Sequence, residues 1–311
     1  MNNSATPPVS VAVVIPTRNR WPWLADAVDS ALGQSHPCMQ VVVVDDASSD
    51  GSAARVKSRY GARVHLIQNP RREEKSRARN AGVRAATTDF VCMLDSDDLL
   101  FPDSVAQRLK PFLEDAAFNG VSYGVGQRDR KHATPNGDRY LSGMILPAYL
   151  ANFSMLDNNA FLMRRNLMLE WGMYRPELTN MEDRELLLRL TAQVPFRFCG
   201  AVTHRIRRVD RSARDQHAAI LRQGHAFTAA LREDFELARQ LGPGFRAVEY
   251  LEDLELARSL FKLRRYAEYL EAARAMLQTY PDLMRGNKRV RRRMRVARAM
   301  SAWPLSRKGR R

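Results

Sequence analysis

The chain has 311 residues, 45% of them hydrophobic, and a formal net charge of +16. That length supports one large α/β domain with a smaller appendage, and that apolar content supplies a sizeable core. Its three cysteines, Cys38, Cys92 and Cys199, stand singly in apolar stretches, which excludes a zinc ribbon or a disulfide framework and fits a reducing cytosol.

Residues 1–8 are polar and read as a disordered N-terminus. The apolar run at 9–16 is too short for a signal-peptide core or a membrane span, and no other segment approaches spanning length. From residue 11 to about 100, apolar runs alternate with helical spacing. Residues 11–15 read as a strand, after which Leu24, Ala27, Val28, Ala31 and Leu32 recur at helical intervals. Residues 41–44 form a second continuous apolar strand. Ser48-Ser49-Asp50-Gly51 then supplies cap and turn residues for a short helix marked by Ala53, Val56 and Tyr60 and closed by Gly61. A third strand at 64–67, a third helix at 76–86 and a fourth strand at 90–94 complete the alternation. Such an order implies a mostly parallel sheet with right-handed crossovers.

Beyond residue 102 the alternation weakens. A helix is expected at 103–115, a strand at 120–125 and a polar loop or lid at 127–137. A strand at 159–163 follows, then a helix opened by Glu182-Asp183-Arg184-Glu185, then a strand at 196–202. Past Asp215 the chain is almost purely helical, which sets a boundary near residue 212.

Parallel sheets place ligands at the carboxyl ends of their strands. The first strand here runs into Pro16-Thr17-Arg18-Asn19-Arg20, the second into Asp45-Asp46, and the fourth into Asp95-Ser96-Asp97-Asp98. Three carboxylates within four positions repel one another unless a cation sits among them, and hard divalent ions such as Mg²⁺ or Mn²⁺ favour oxygen-only donors. The residues therefore read as a metal site for a phosphate-bearing substrate. A cap for the helix that starts near Phe101-Pro102-Asp103 requires only one carboxylate.

Taken in order, residues 11–20, residues 43–52, Ala78-Arg79-Asn80-Ala81-Gly82, Leu94-Asp95-Ser96-Asp97-Asp98 and Met181-Glu182-Asp183 resemble the successive signatures of family 2 glycosyltransferases of the GT-A fold. The resemblance covers roughly residues 9–210. It implies an α/β, Rossmann-like sheet flanked by helices over residues 9–212; beyond it, outside the resemblance, the spacing and charge of the chain read as an α-helical extension at 213–284 and a basic tail at 285–311. The resemblance also implies roles. Asp46 would hydrogen-bond the nucleotide base and Asp95 would lie against the ribose. Asp97, with Asp95 beside it, would ligate the divalent metal that bridges the diphosphate. Arg79 would lie near the nucleotide, and Asp183 would be the general base. Pro16, Thr17 and Glu182 would complete the substrate-binding set. Uridine is the commonest base in that family, so a UDP-sugar is the expected donor, although these residues leave guanosine and thymidine open.

The chemistry is consistent with those roles. A nucleoside diphosphate gains negative charge as it leaves, which a bound cation offsets without proton transfer. An acceptor hydroxyl is a poor nucleophile at neutral pH, so a carboxylate must take its proton as it attacks, and direct displacement inverts the anomeric centre. The resemblance also implies bacterial surface polysaccharide or lipopolysaccharide assembly on a sugar or lipid-linked acceptor.

Two places depart from the pattern. His204-Arg205-Ile206-Arg207 has Arg where relatives carry a His, which leaves Arg205 or Arg207 as a phosphate clamp. The charged run 71–75 precedes the Ala-Arg-Asn element and reads as a solvated loop. Trp171 and Tyr174 are either an acceptor platform or core. Residues 288–300 read as a basic helix, followed by Trp303-Pro304-Leu305 as an anchor, which suits an anionic membrane surface on the cytoplasmic side. A non-catalytic nucleotide-sugar-binding protein and a nucleic-acid-binding protein are the competing functions. The second lacks any recognised nucleic-acid module.

Overall fold

The computed structural model describes residues 9–37, 39–128, 141–152, 155–171, 173–207, 213–284 and 287–301. The chain divides into two compact units, residues 1–209 and 210–311.

The first unit begins β1 (Val11–Thr17), α1 (Trp23–Leu32), β2 (Met39–Asp45), α2 (Ser52–Tyr60), β3 (Val64–Gln68), α3 (Glu74–Ala85) and β4 (Phe90–Met93). It continues β5 (Leu99–Leu100), α4 (Ser104–Glu114), β6 (Val121–Arg128), α5 (Leu146–Ala151), β7 (Phe161–Arg164), α6 (Arg165–Glu170), α7 (Glu182–Gln193) and β8 (Phe196–Ile206). The eight strands form one sheet in the order β3-β2-β1-β4-β7-β6-β8-β5. The first four pair in parallel, as their alternation with helices implies, whereas β7 runs antiparallel to β4 and β6, and β5 antiparallel to β8. The parallel expectation thus holds for the first half of the sheet, and the second half is mixed.

Every residue of β1 is buried and Val41–Val44 of β2 is fully enclosed, which is why these strands read as unbroken apolar runs: helices cover both faces of a parallel sheet. Gly82 shows how closely α3 lies on that sheet. A Cβ built there would sit 2.3 Å from Cγ1 of Val14 and 3.2 Å from Cγ2 of Val44. Gly82→Ala is therefore expected to push α3 off β1 and to cost about 1–3 kcal/mol, as overpacking of a dense core does. Chemical denaturation of the two proteins measures this, and an unchanged midpoint would contradict the packing account.

The second unit comprises α8 (Ala213–Gln223), α9 (Ala226–Glu233), α10 (Phe235–Leu241), α11 (Phe245–Lys262), α12 (Tyr266–Thr279), α13 (Pro281–Met284) and α14 (Lys288–Ser301). Its core joins Tyr269, Leu270, Ala273 and Met276 of α12 to Val290, Met294 and Ala297 of α14. The basic segment expected as a separate tail is thus, over 288–301, a helix packed within this unit. Residues 1–8, most of the lid expected at 127–137, and Trp303-Pro304-Leu305 lie outside the described residues.

Candidate active site

The carboxyl ends of β1, β2 and β4 open on the same edge of the parallel half-sheet, because Thr17 pairs with Asp45 and Val14 with Met93 in register. Four of the five positive-φ residues other than glycine among the described residues stand along this rim. They are Asn19 after β1, Ala47 after β2, Glu74 at the start of α3 and Met181 just before α7. Left-handed backbone at such residues costs energy and collects where side chains must be aimed for function.

At β1, Pro16 is buried inside the strand opposite Val44, and the Thr17 carbonyl accepts from Asp46 N at 2.8 Å. Among the described residues Thr17 Oγ1 and Asp45 Oδ1 are buried and make no hydrogen bond. Two orphaned polar atoms on adjoining strand ends are what a ligand would satisfy. Asp46 is heavily engaged instead. Its Oδ1 accepts from Asn69 Nδ2 at 2.9 Å and Glu73 N at 2.7 Å, and its Oδ2 from Glu74 N at 3.1 Å. A carboxylate offers about four acceptor positions, so Asp46 retains about one for a base. The sequence singled out Asp46 and passed over Asp45, whose open oxygen only its register with Thr17 reveals. The charged run 71–75, expected as a solvated loop, is loop only over 71–73: Arg71 pairs with Glu73 and Arg72 with Glu74, while Glu74 and Lys75 open α3.

Beyond β4 the acidic loop is held from several sides. Asn159 receives Asp95 N on its Oδ1 at 2.8 Å and donates Nδ2 to Asp98 Oδ2 at 2.6 Å. Asn159 is in turn fixed because the fully buried Arg108 donates to the carbonyls of Asn159 and Phe161, at 3.1 and 2.9 Å. Nearby, Asp157 pairs with the buried His204 at 2.9 Å. The sequence reading began a strand at 159. The structure begins it at Phe161 and uses the two asparagines before it as brackets.

Arg207, expected as one of two phosphate clamps, lies against the acidic loop. Its N donates to Asp98 Oδ1 at 2.8 Å, its Nε to the Asp97 carbonyl, its Nη1 to Asp26 and its Nη2 to the Trp23 carbonyl. Three of its five guanidinium N–H donors are thus spent bracing the acidic loop against α1, and the side chain is only 10% exposed. Arg205 stacks its guanidinium 5.7 Å from the Phe101 ring centre.

Arg79 and Glu182, both expected at the substrate, are each only 3% exposed and pair with one another. Arg79 Nη1 donates to Glu182 Oε1 at 2.7 Å and Nη2 to Asp95 Oδ1 at 2.8 Å, while Lys75 Nζ reaches Glu182 at 3.1 Å. Burial disfavours the Glu182 carboxylate, but Lys75 and Arg79 outweigh it and hold its pKa below the ordinary value. Tyr174 also belongs to this network rather than to an acceptor platform. Its ring lies 5.0 Å from the Arg79 guanidinium, its hydroxyl donates to Asn158 Oδ1, and its backbone exchanges two hydrogen bonds with the Asn80 side chain. Trp171 is 36% exposed.

Asp183 follows Glu182 into the first turn of α7 and is half-buried. Burial, and then the Glu182 carboxylate, push its pKa above the ordinary 3.8. Asp98 is raised as well, to about 7, by burial and by Asp95 and Asp97. Because the folded state holds the Asp98 proton more tightly than the unfolded chain, that stabilisation is full below pH 3.8 and is lost as pH rises through about 7. In metal-free buffer the melting temperature is therefore expected to fall across this window more steeply in the wild type than in Asp98→Asn. Identical slopes would show that folding does not raise the Asp98 pKa.

Among the described residues no group of three or more His, Cys, Asp or Glu side chains is arranged to enclose a metal ion. Asp95 and Asp97 nevertheless fit a hard cation shared with a ligand's phosphates, since Mg²⁺-type ions take one or two carboxylates and complete their shell from phosphate and water. The crowding that raises Asp98 is the electrostatic stress such an ion relieves.

Residues 12–172, more than half of the chain, match the profile of glycosyl transferase family 2. The chain belongs to that family. Among curated relatives, it is 37% identical over 119 residues to the succinoglycan biosynthesis protein ExoO of Rhizobium meliloti, covering 38% of this chain and 33% of that protein. It is 30% identical over 122 residues to the putative teichuronic acid biosynthesis glycosyltransferase TuaG of Bacillus subtilis, covering 38% of this chain and 48% of the relative. An uncharacterized glycosyltransferase of Rickettsia felis is 29% identical over 140 residues, 44% of this chain and 23% of its own length. The chain thus spans half or less of these three relatives. Two solved structures share the fold. The mannosyltransferase PcManGT of Pyrobaculum calidifontis, in complex with GDP-Man and Mn²⁺, has a TM-score of 0.62 at 20% identity, covering 95% of this chain and 86% of that one. S. aureus TarS 1-349, in complex with UDP-GlcNAc, has a TM-score of 0.55 at 16% identity, covering 94% and 88%.

Proposed function

We propose that this chain is an inverting, metal-assisted glycosyltransferase that moves a sugar from a nucleoside diphosphate to a hydroxyl acceptor. One observation carries the reading. The ion-pair chain Asp95–Arg79–Glu182 ties the acidic loop to the first turn of the helix that bears Asp183. A donor-side carboxylate group and a candidate base of raised pKa are thereby held in one rigid frame, as a displacement with the acceptor on the far side of the sugar requires.

In this mechanism Thr17 Oγ1, Asp45 Oδ1 and the remaining acceptor position of Asp46 take the hydrogen-bonding edge of the base. Asp95 receives the ribose, and Asp97 with Asp95 would hold a divalent ion. Such an ion, Mn²⁺ or Mg²⁺, would supply charge stabilisation for the departing diphosphate. Asp183 takes the acceptor proton during attack. Arg79 and Glu182 position these groups without touching substrate. The donors bound by TarS and PcManGT support a nucleotide sugar, and a UDP-sugar is our choice on the family resemblance. The names of ExoO and TuaG support a bacterial polysaccharide-biosynthesis setting, and a sugar or lipid-linked acceptor on the cytoplasmic side is our choice on the family resemblance. Among the described residues no helix is long and apolar enough to cross a membrane.

The test is thermal-shift screening with UDP, GDP, TDP and CDP, with and without Mn²⁺, on the wild type and on Asp97→Ala. One nucleotide is expected to stabilise the wild type only with metal, and Asp97→Ala is expected to lose that response. A well-folded wild type that responds to no nucleotide under any metal condition would overturn the donor site.

A further inference from the structure

Charge in the helical unit is balanced until its last helix. Residues 213–284 carry eleven carboxylates and ten Lys or Arg, whereas α14 carries seven cations and no carboxylate. Ion pairs within the earlier helices follow that balance, as Arg232–Glu249, Arg246–Asp282 and Arg265–Glu268 do. In α14 the three- and four-residue spacing instead sets like charges side by side, Arg289 near Arg292 and Arg291 near Arg295, which destabilises a helix on its own.

Packing supplies what local charge takes away. Val290, Met294 and Ala297 lie along one side of α14 and are 3%, 8% and 0% exposed against α12. The Tyr269 hydroxyl donates to the Val290 carbonyl at 3.2 Å, and the Arg293 guanidinium lies 5.6 Å from the Phe261 ring centre. The other six cations, Lys288, Arg289, Arg291, Arg292, Arg295 and Arg298, are exposed. An ordered helix that presents one sign of charge on its outer side is complementary to a polyanion.

The side left uncovered selects which polyanion. Insertion of an amphipathic helix into a bilayer requires a free apolar face, and that face of α14 is spent on α12. A duplex groove suits α14 poorly too. A helix of about 10–12 Å diameter fills a major groove about 12 Å wide with most of its circumference, and one side of α14 is already covered. A flat array of anionic headgroups needs only one face. We propose that α14 is an electrostatic docking face for a membrane surface rich in anionic phospholipid, adsorbing by charge without inserting. The proposal is independent of the donor chemistry.

Sedimentation of the full chain with vesicles tests it, using phosphatidylcholine alone or mixed with phosphatidylglycerol. Binding is expected only to the mixed vesicles, and is expected to weaken between 50 and 300 mM NaCl, where screening shortens the reach of surface charge (roughly a Debye length at each salt). Each basic residue near such a surface contributes about a fivefold affinity gain. The triple variant Arg289→Gln, Arg292→Gln, Arg295→Gln is therefore expected to lose about a hundredfold. The corresponding triple Arg→Lys variant keeps the charge and should keep binding. Lys57→Gln, Arg59→Gln, Arg63→Gln on and beside α2 removes equal charge elsewhere and should leave binding nearly intact. Equal binding to neutral vesicles, a salt-insensitive wild type, or equal losses from the two Gln triples would each overturn the proposal. So would tighter binding to duplex DNA than to mixed vesicles at the same salt, lost with the α14 triple.

Discussion

Asp183→Asn is expected to lower kcat about a hundredfold to ten-thousandfold while leaving donor affinity unchanged, the range that a general base contributes. Asn keeps the size of the side chain and its acceptor oxygen, so the bond from Arg184 N at 2.9 Å can persist and α7 need not move. What disappears is the capacity to take a proton. Burial and the Glu182 carboxylate raise the Asp183 pKa, so the acidic limb of wild-type kcat is expected above pH 3.8, falling as pH drops through the folded pKa. Steady-state kinetics with donor binding measured separately checks both parts. A non-catalytic nucleotide-sugar-binding protein predicts no turnover in either form. Turnover retained in Asp183→Asn would move the base to another residue.

The architecture was legible where one property repeats locally. Unbroken valine runs announced β1 and β2, and the collision of an apolar strand with Asp95, Asp97 and Asp98 marked the crevice. The two-residue β5 and the short α5 and α6 carry too little periodicity to stand out. Candidate site residues were legible by type, but their partners were not. Arg79 pairs with Glu182 across 103 positions and Arg207 reaches the Asp97 carbonyl across 110. No spacing rule encodes such pairs, so an arginine in a motif reads as a ligand contact until its burial is known. Asp45 and Asp46 show the same limit at shorter range. Two adjacent carboxylates look equivalent in a sequence, yet the alternation of a strand end turns one toward the Asn69–Glu74 loop and leaves the other with an open oxygen. In α14 the basic spacing was plain, whereas the fate of its apolar side depended on α12.

Arg79→Ala is expected to cost about 3–5 kcal/mol of stability, because it leaves a buried carboxylate without its main partner. Glu182 would keep only Lys75, whose side chain is 50% exposed and therefore screened by solvent. Asp95 would lose the guanidinium at 2.8 Å, and its contact from Asn158 is longer, at 3.4 Å. Adding Glu182→Gln should recover much of the lost stability, since a neutral amide does not carry the desolvation cost of an unpaired carboxylate. Activity should not recover with it, because Asp95 still lacks the guanidinium that ties the donor loop to the start of α7. Stability and activity thus part company in the double variant, which a purely structural role for Arg79 does not predict. Denaturation midpoints together with kcat and KM for the wild type, both single variants and the double variant decide the matter. If activity returned in step with stability, Arg79 would be a packing residue alone, and the coupling between the acidic loop and the Asp183 helix would have to lie elsewhere.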